Sequence, residues 1–359
     1  MLNNRKMSDD LFPWRSSGPQ SQSWGLCESL LARSRACRHN DPEQMLLLAE
    51  RAVSIASDLD AMEYGRELVA DMRARALAEL ANAYRVADDL EAAERAMRRA
   101  VEWSAQGTQD PLLLARIMDL TASLRGAQRR FPEALGLLQA VYALYERHGD
   151  RHNAGRALIS KGLFTGYNND PERAIGLLSA GISMLQPAAD PKLVLSAIHN
   201  LIGFMADCGR FRQAQRLLRR CREAYFAAAD RLSLLRLCWL EGRIAFGLGH
   251  LRRAEKSLVQ ARQQFEQAGL INQAALISLD LAAVWLSQGK SAHTRQLIEE
   301  MMTVFRAQRI AREVLAALIL LKESFDKSQS SPVELLRAIS GYLKQVESRP
   351  RSYRRYQTA

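Results

Sequence analysis

The sequence predicts an all-α protein, specifically a right-handed α-solenoid built from antiparallel helix pairs. Two observations predict this class: apolar residues recur at helical spacing from about residue 26 to about residue 346, and small residues recur about every 40 positions. Because no single unit of such an array buries its apolar face without its neighbours, the period indicates stacked repeats. The recurring position, called the mark below, is occupied by Ala93, Ala134, Ala174, Ala214, Ala254 and Thr294.

The second repeat shows how one unit is built. Leu77, Leu80 and Tyr84 fall on one stripe of a first helix, and a short turn then leads into a second helix that carries the mark. The small residues Ala81 and Ala93 let the two helix backbones approach closely. We therefore expect each repeat to be a tightly packed helical hairpin.

Glycines mark two recurring places in later repeats. Gly162 and Gly242 occupy the place of Ala81, where the helices of a pair are expected to touch. Gly209, Gly249 and Gly289 each stand five residues before the mark, where a helix-ending residue with a left-handed conformation is needed.

The chain divides into four segments by this pattern. Residues 1–25 are rich in Ser, Gln, Asn and Pro and are expected to form a disordered leader. Residues 26–310 hold seven helical pairs, with an insertion at 57–70 after the first pair. Residues 311–347 are expected to form capping helices, and 348–359 a basic disordered tail.

The small–aromatic–small pattern of Ala81, Tyr84, Ala93 and Ala100 resembles the tetratricopeptide signature. The stretch LDLAAVWLSQGK followed by RQLIEEMMTVFRAQRI is similar to the long-period arrays of bacterial regulators related to the maltose activator. This resemblance implies a tetratricopeptide-like superhelix that binds partners. It also implies that Asn82 stands where related arrays hold the backbone of a bound peptide. No DNA-binding helix-turn-helix motif is visible at either end.

The composition favours an acidic partner and a reducing compartment. The formal net charge is +11, with the excess spread along the chain, although arginines that only solvate the surface would give the same balance. The five cysteines are irregularly spaced, which favours small buried hydrophobes over a disulfide framework. No secretory signal and no membrane-spanning apolar stretch is recognisable, so we expect a cytoplasmic location and no membrane partner.

No catalytic constellation, cofactor motif or metal site stands out. His148 and His152 are separated by Gly149 and Asp150, which predicts a loop and not a shared helical face. The Cys37–His39 spacing does not fit a zinc half-site. We therefore expect a protein that is not an enzyme, with no catalytic, cofactor-binding or metal-binding residues.

The first helices of stacked pairs line the concave side, and their inward positions lie 18, 15, 11, 8 and 7 residues before each mark. We call these positions the inner face. Arginine recurs among them together with aromatic residues, a combination that can bind carboxylates and stack apolar groups. Alternatively, these arginines pair with acidic residues of the adjacent unit. The candidate peptide-binding residues are Arg75, Asn82, Arg85, Arg116, Arg156, Tyr167, His199, Arg236, Trp239, Arg243 and Phe246.

The favoured function is a protein–protein interaction scaffold or regulatory module that binds an acidic or amphipathic peptide segment in a concave groove. The alternative is a ligand- or peptide-sensing signalling protein that acts with a separate DNA-binding or sigma-factor partner. Nucleic-acid binding is a third, less favoured class, because basic residues alternate with acidic ones along most helices. The sequence leaves the oligomeric state and the identity of the partner open.

Overall fold

The computed structural model describes residues 24–307 except 39–40, 189 and 229–230. Within that range it describes side chains everywhere except at 227, 228, 272 and 302–307. All regular secondary structure in the described residues is helical, which confirms the predicted class. The helices are α1 (Trp24–Cys37), α2 (Pro42–Ser57), α3 (Ala61–Tyr64), α4 (Arg66–Val86), α5 (Leu90–Ser104), α6 (Pro111–Ala127), α7 (Phe131–Arg147), α8 (Arg151–Tyr167), α9 (Pro171–Met184), α10 (Pro191–Asp207), α11 (Phe211–Ala228), α12 (Arg231–Gly247), α13 (Leu251–Gln267), α14 (Ile271–Ser287) and α15 (Ser291–Ala307).

The helices form hairpins in which a first helix packs against the second helix that follows it. The short helix α3 lies inside the predicted insertion, and α4 begins at Arg66, within that insertion. The predicted leader, except for its last two residues, lies outside the described part of the chain. The capping helices at 311–347 and the tail at 348–359 also lie outside it.

Six hairpin turns share one conformation. Each of the turns from α4–α5 to α14–α15 has three residues, and the middle residue has a positive φ. Gly209, Gly249 and Gly289 have φ values of 73°, 77° and 76°, which confirms the prediction for these glycines. The other three middle residues are not glycine, although side chains disfavour this conformation: they are Asp88, Arg129 and Asn169.

The mark is fully buried in each pair. All six marking residues are 0% exposed, from Ala93 through Thr294. The hydroxyl of Thr294 donates to the carbonyl of Lys290 at 3.1 Å, so threonine replaces alanine there without leaving a buried polar atom unsatisfied. A Cβ added at Gly162 would lie 2.9 Å from Cγ of Leu178, which explains why no larger residue stands there.

Short-range signals set the helix starts. Asp41, Asp110, Asp170 and Asp190 each cap a helix with a side-chain oxygen that accepts a backbone N–H, and proline occupies the first turn behind each of them. Backbone N–H groups in the first turn have no partner within the helix, so proline, which lacks an N–H, is tolerated there. An aspartate cap followed by proline therefore starts a helix at a defined residue. These caps fix where the first helices α6 and α10 begin, and with them the register of their inner-face positions.

The chain divides into two compact units, Met1–Asp150 and Arg151–Ala359. The described part of the first unit contains α1–α7, and that of the second contains α8–α15. Each unit has its own apolar clusters, in which a fully buried large side chain contributes about 1.5–3 kcal/mol. None of the described helices is long and apolar enough to cross a membrane.

Candidate functional site

In the first unit, two inner-face arginines are held by acidic residues of neighbouring helices. Arg75 on α4 donates to Glu28 on α1 at 2.6 Å. Arg116 on α6 donates from Nε and Nη2 to Glu79 on α4, at 3.1 and 2.9 Å, and from Nη1 to Asp119 at 3.2 Å. These two arginines therefore link successive first helices, as the alternative interpretation of the sequence proposes.

Glu79 is the centre of this network and was not a sequence candidate. Its side chain is only 1% exposed, and Oε1 accepts from Arg116 and also, at 3.4 Å, from Arg35. Oε2 is buried and has no hydrogen-bond partner among the described residues. Glu79 lies 14 residues before its mark, and Asp280 occupies the same place in the last described pair. The other four marked repeats have no acid there, so the repeat pattern gave little signal for Glu79.

Arg85 differs from its arginine neighbours because it makes no ion pair with any described carboxylate. Its Nε and Nη2 both donate to Oδ1 of Asn82, at 3.2 and 2.8 Å. Burial, followed by the nearby charge of Arg38, lowers the pKa of Arg85 to about 10. Asn82 is 4% exposed, so it orients the Arg85 guanidinium from below the surface.

In the second unit the sequence candidates Arg156 and Tyr167 lie on α8. Arg156 donates to Asp190, the capping residue of α10, at 2.8 Å. Tyr167 is 49% exposed and its ring meets that of Phe204 edge-on, with centroids 6.1 Å apart. One candidate is therefore paired, and the other presents an aromatic edge to solvent.

The candidates of α12 form the most connected group. Arg243 donates from Nη2 to Asp207 of α10 at 2.5 Å, and its Nε lies 3.8 Å from Asp280 of α14. Trp239 donates from its indole nitrogen to the same Asp280 at 2.6 Å. Phe246 is partly buried against the apolar cluster of this unit. These contacts bring residues of three successive first helices together.

His199 on α10 adjoins this group. Its Nδ1 lies 3.1 Å from the hydroxyl of Tyr225. Burial, and then the charges of Arg236 and Arg243, lower the pKa of His199 to about 4. Arg236 itself is exposed and makes no hydrogen bond or ion pair with a described residue.

The described residues contain no group of three or more His, Cys, Asp or Glu side chains that could hold a metal ion. His152 lies in the first turn of α8 and not in a loop, which corrects the sequence-based expectation. Its Nδ1 accepts the backbone N–H of Gln186 at 3.2 Å. The start of α8 at Arg151 was not recognised in the sequence, because no proline stands next to that residue.

No protein-family model matches the sequence, and no curated protein matches it significantly. Solved structures do share its fold. The Rap protein complexed with Competence and Sporulation Factor is 11% identical, with a TM-score of 0.65, over 90% of this chain and 87% of that one. The quorum sensor NprR from B. thuringiensis in its apo form is 14% identical, with a TM-score of 0.63, over 87% and 84% of the two chains.

NprR in complex with its cognate peptide NprX is also similar, at 14% identity and a TM-score of 0.60, over 85% of each chain. At these identities the similarity establishes the fold alone. The chain therefore has a tetratricopeptide-like helical-repeat fold, as the resemblance in its sequence implies. None of these three structures is named as a relative of the maltose activator, so that closer resemblance stays an expectation.

Proposed function

We propose that the chain is a non-enzymatic, protein-binding regulatory module that holds an acidic or amphipathic peptide segment against the inner face of its first helices. One similar structure is named as a peptide complex, NprR with its cognate peptide NprX, and another is named as the Rap protein complexed with Competence and Sporulation Factor. A tetratricopeptide-like fold serves many partners, so the argument for this chain depends on its own residues.

One observation carries the proposal. Each unit has an inner-face arginine with no carboxylate bound to it among the described residues, Arg85 in the first unit and Arg236 in the second. The other candidate arginines are already neutralised by acids of neighbouring helices. A guanidinium without a carboxylate partner is the group that would gain most from an incoming carboxylate.

The surroundings of Arg236 fit an amphipathic segment. Trp239 lies one helical turn after Arg236, half-buried, with its indole fixed by Asp280 and its ring edge-on to Phe265 at 6.2 Å. Because the ring is held in place, it loses little side-chain freedom when a ligand packs on it. An acidic residue at Arg236 and an apolar residue at Trp239 would therefore be bound side by side.

The paired arginines have a different role in this proposal. Arg116 and Arg243 join adjacent first helices, so they hold the inner face in one arrangement before any ligand arrives. A preformed face avoids the entropic cost of ordering side chains during binding. We therefore expect binding with little rearrangement of the backbone within each unit.

A sensing role with a separate DNA-binding or sigma-factor partner is the second candidate, and the similar structure of a quorum sensor favours it. In that case the peptide would be the signal and not the regulated partner. We retain a cytoplasmic location as part of either proposal, because all five cysteines are free thiols.

The proposal is tested with a peptide-display library panned against the whole chain. Recovered peptides are expected to be enriched in Asp and Glu, and Arg236→Glu is expected to weaken a recovered peptide about 10- to 100-fold in fluorescence polarisation. That range corresponds to the loss of a hydrogen bond between charged groups. Arg231→Glu is the matched control, because it makes the same charge change on an exposed residue of the same helix, outside the inner face.

Two results would contradict the proposal. Recovered peptides without acidic residues would remove the role of the arginines. Equal binding by wild type and Arg236→Glu, or equal loss in the Arg231→Glu control, would show that the inner face of the second unit is not where the peptide binds.

A further inference from the structure

The positive charge of the second helices is concentrated in two of them. Helix α5 has three arginines and three glutamates, α7 has one arginine and two glutamates, and α9 has one of each. Helix α11 has five arginines and one glutamate, and α13 has four basic residues and two glutamates. This concentration on α11 and α13 differs from the even spread that the sequence suggests.

The arginines of α11 face solvent. Arg212, Arg216, Arg219 and Arg220 are all exposed and make no hydrogen bond or ion pair with a described residue. Arg222, also exposed, lies 3.5 Å from Glu241 and places its guanidinium 5.7 Å from the centre of the Phe226 ring. Four of the five guanidinium groups therefore have no partner to compensate their charge within the described structure.

Helix α13 extends the same surface. Arg252, Arg253 and Lys256 are exposed and likewise have no partner among the described residues. Arg219 and Arg222 of α11 line one shallow groove together with Arg253 of α13, with α12 at its floor. We call the exposed basic residues of α11 and α13 the basic face.

We propose that the basic face binds the phosphate backbone of a single-stranded nucleic acid. When guanidinium groups without partners contact successive phosphates, the counterions condensed on the nucleic acid are released, which favours binding. Arg binds phosphate through paired N–H groups. The basic residues of α11 from Arg212 to Arg222, with Phe226 beyond them, cover roughly 20 Å of helix. That length offers contacts to several phosphates along one strand.

Phe226 favours a nucleic acid over the other polyanions. It is 61% exposed despite its contact with Arg222, and a base can stack on an exposed aromatic ring. A protein partner would need an apolar centre in its interface, and a lipid surface would need several apolar side chains to insert. Among the described residues of α11 and α13, Phe226 is the one large apolar side chain that is strongly exposed.

The test uses the whole chain and a fluorescein-labelled, unstructured 20-nucleotide RNA, with anisotropy measured between 50 and 200 mM salt. Removing three positive charges is expected to weaken binding at least about tenfold and to reduce the slope of log K against log salt by about 2. The variant replaces three residues of α11, Arg212→Gln, Arg216→Gln and Arg219→Gln.

A control with the same charge change separates a local site from net charge. Its substitutions lie on α5, whose charges balance, at exposed arginines without described partners. They are Arg95→Gln, Arg98→Gln and Arg99→Gln. We expect the control to bind RNA within about twofold of wild type, because α5 is not part of the basic face. Nonspecific attraction by net charge alone would instead weaken the binding of both variants equally.

Phe226→Ala is expected to weaken RNA binding about fivefold or more without changing the salt slope, since it removes stacking and no charge. Equal loss in the α11 and α5 variants, or no loss in the α11 variant, would overturn the proposal. Displacement of the RNA by polyglutamate of equal total charge, or by phosphatidylserine vesicles, at equal or lower concentration would also overturn it. Circular dichroism checks that the substituted surface residues leave the helices intact.

Discussion

His199 is uncharged in the folded protein at neutral pH, because burial and the charges of Arg236 and Arg243 lower its pKa to about 4. The unfolded chain binds a proton at this residue near pH 6.5, so between about pH 6.5 and 4 the unfolded state holds more protons than the folded one. The stability that His199 contributes is thus complete above pH 6.5 and is lost as the pH falls towards 4.

We predict that His199→Gln makes the stability of the chain less dependent on pH over this interval. Lowering the pH from 7 to 5 is expected to cost wild type about 1–2 kcal/mol more than the variant, because only wild type has a histidine to protonate on unfolding. Urea unfolding followed by circular dichroism at both pH values measures the difference. The Arg231→Glu protein, which keeps His199, is the control and should respond to pH as wild type does. If the stability of wild type and of His199→Gln changed equally with pH, the lowered pKa of His199 would be disproved.

The helix that carries each candidate residue could be predicted, but the partners of these residues could not. Counting back from the mark placed Arg116 and Arg243 on the first helices correctly, since that needs only the repeat length. The ion pairs join residues of different repeats, as in Arg116 with Glu79 and Arg243 with Asp207, and side-chain rotamers decide which acid is reached. Glu79 was missed because its surroundings in the sequence, ALAEL, indicate only an apolar stripe.

At the scale of one element, the pair of α8 and α9 shows how closely two helices can approach. A Cβ on Gly155 would lie 2.9 Å from the carbonyl of Gly181, and a Cβ on Gly181 would lie 2.8 Å from that of Gly155. Gly162 of α8 packs against Leu178 of α9, which lies one helical turn after the mark. Three glycines thus remove the side chains that would otherwise hold these helices apart.

We predict opposite effects from two glycine-to-alanine changes in this pair. Gly162→Ala is expected to destabilise by about 1–2 kcal/mol, because the crowding of a Cβ 2.9 Å from Leu178 exceeds the gain in helix propensity. Gly176→Ala, exposed on α9 with nothing within 4 Å of its Cβ, is expected to stabilise by up to about 1 kcal/mol. Thermal unfolding of both variants measures these effects, and unfolding temperatures that shift in the same direction would contradict this account.

The turns show a second limit of prediction at this scale. Glycine identified the left-handed residue at Gly209, Gly249 and Gly289, whereas the same conformation at Asp88, Arg129 and Asn169 was not predicted. At Arg129 the residue type gave no signal, because the surrounding hairpin imposes the conformation against the preference of the side chain.

At the scale of the whole molecule, two joints between repeats, one in each unit, follow the same pattern. Glu94, one residue after its mark, accepts from Arg125 and Gln128 of the next first helix. Glu255, one residue after its own mark, accepts from Trp285, Gln288 and Lys290 at the corresponding places. Hydrogen bonding by these donors outweighs burial and lowers the pKa of Glu255, as bonding to Arg125 does for Glu94.

Because each repeat contacts its neighbours, we predict that Glu79→Gln acts locally. The change leaves Arg116 without its main buried partner and is expected to cost about 2–4 kcal/mol in the first unit. Hydrogen exchange should show lost protection in α4 and α6 and unchanged protection in α12–α15. Glu133→Gln, which removes an exposed partner of Arg130, is the control and should change protection little.

A uniform loss of protection across all described helices in Glu79→Gln would contradict this prediction. Such a result would mean that the array unfolds as one cooperative body. Quantitative comparison should use exchange at individual helices, because a single unfolding midpoint is not well defined when cooperativity is partial.

The three-residue hairpin turns bear on how this chain can change in length during evolution. Every hairpin from α4–α5 to α14–α15 uses the same count, whereas the linkers between hairpins from α5 onwards range from two residues before α12 to six before α6 and α10. Adding one residue to a helix of a hairpin would rotate the side chains after it in that helix by about 100° around the helix axis. Insertions and deletions should therefore accumulate between hairpins, or arrive as entire hairpins duplicated or lost together.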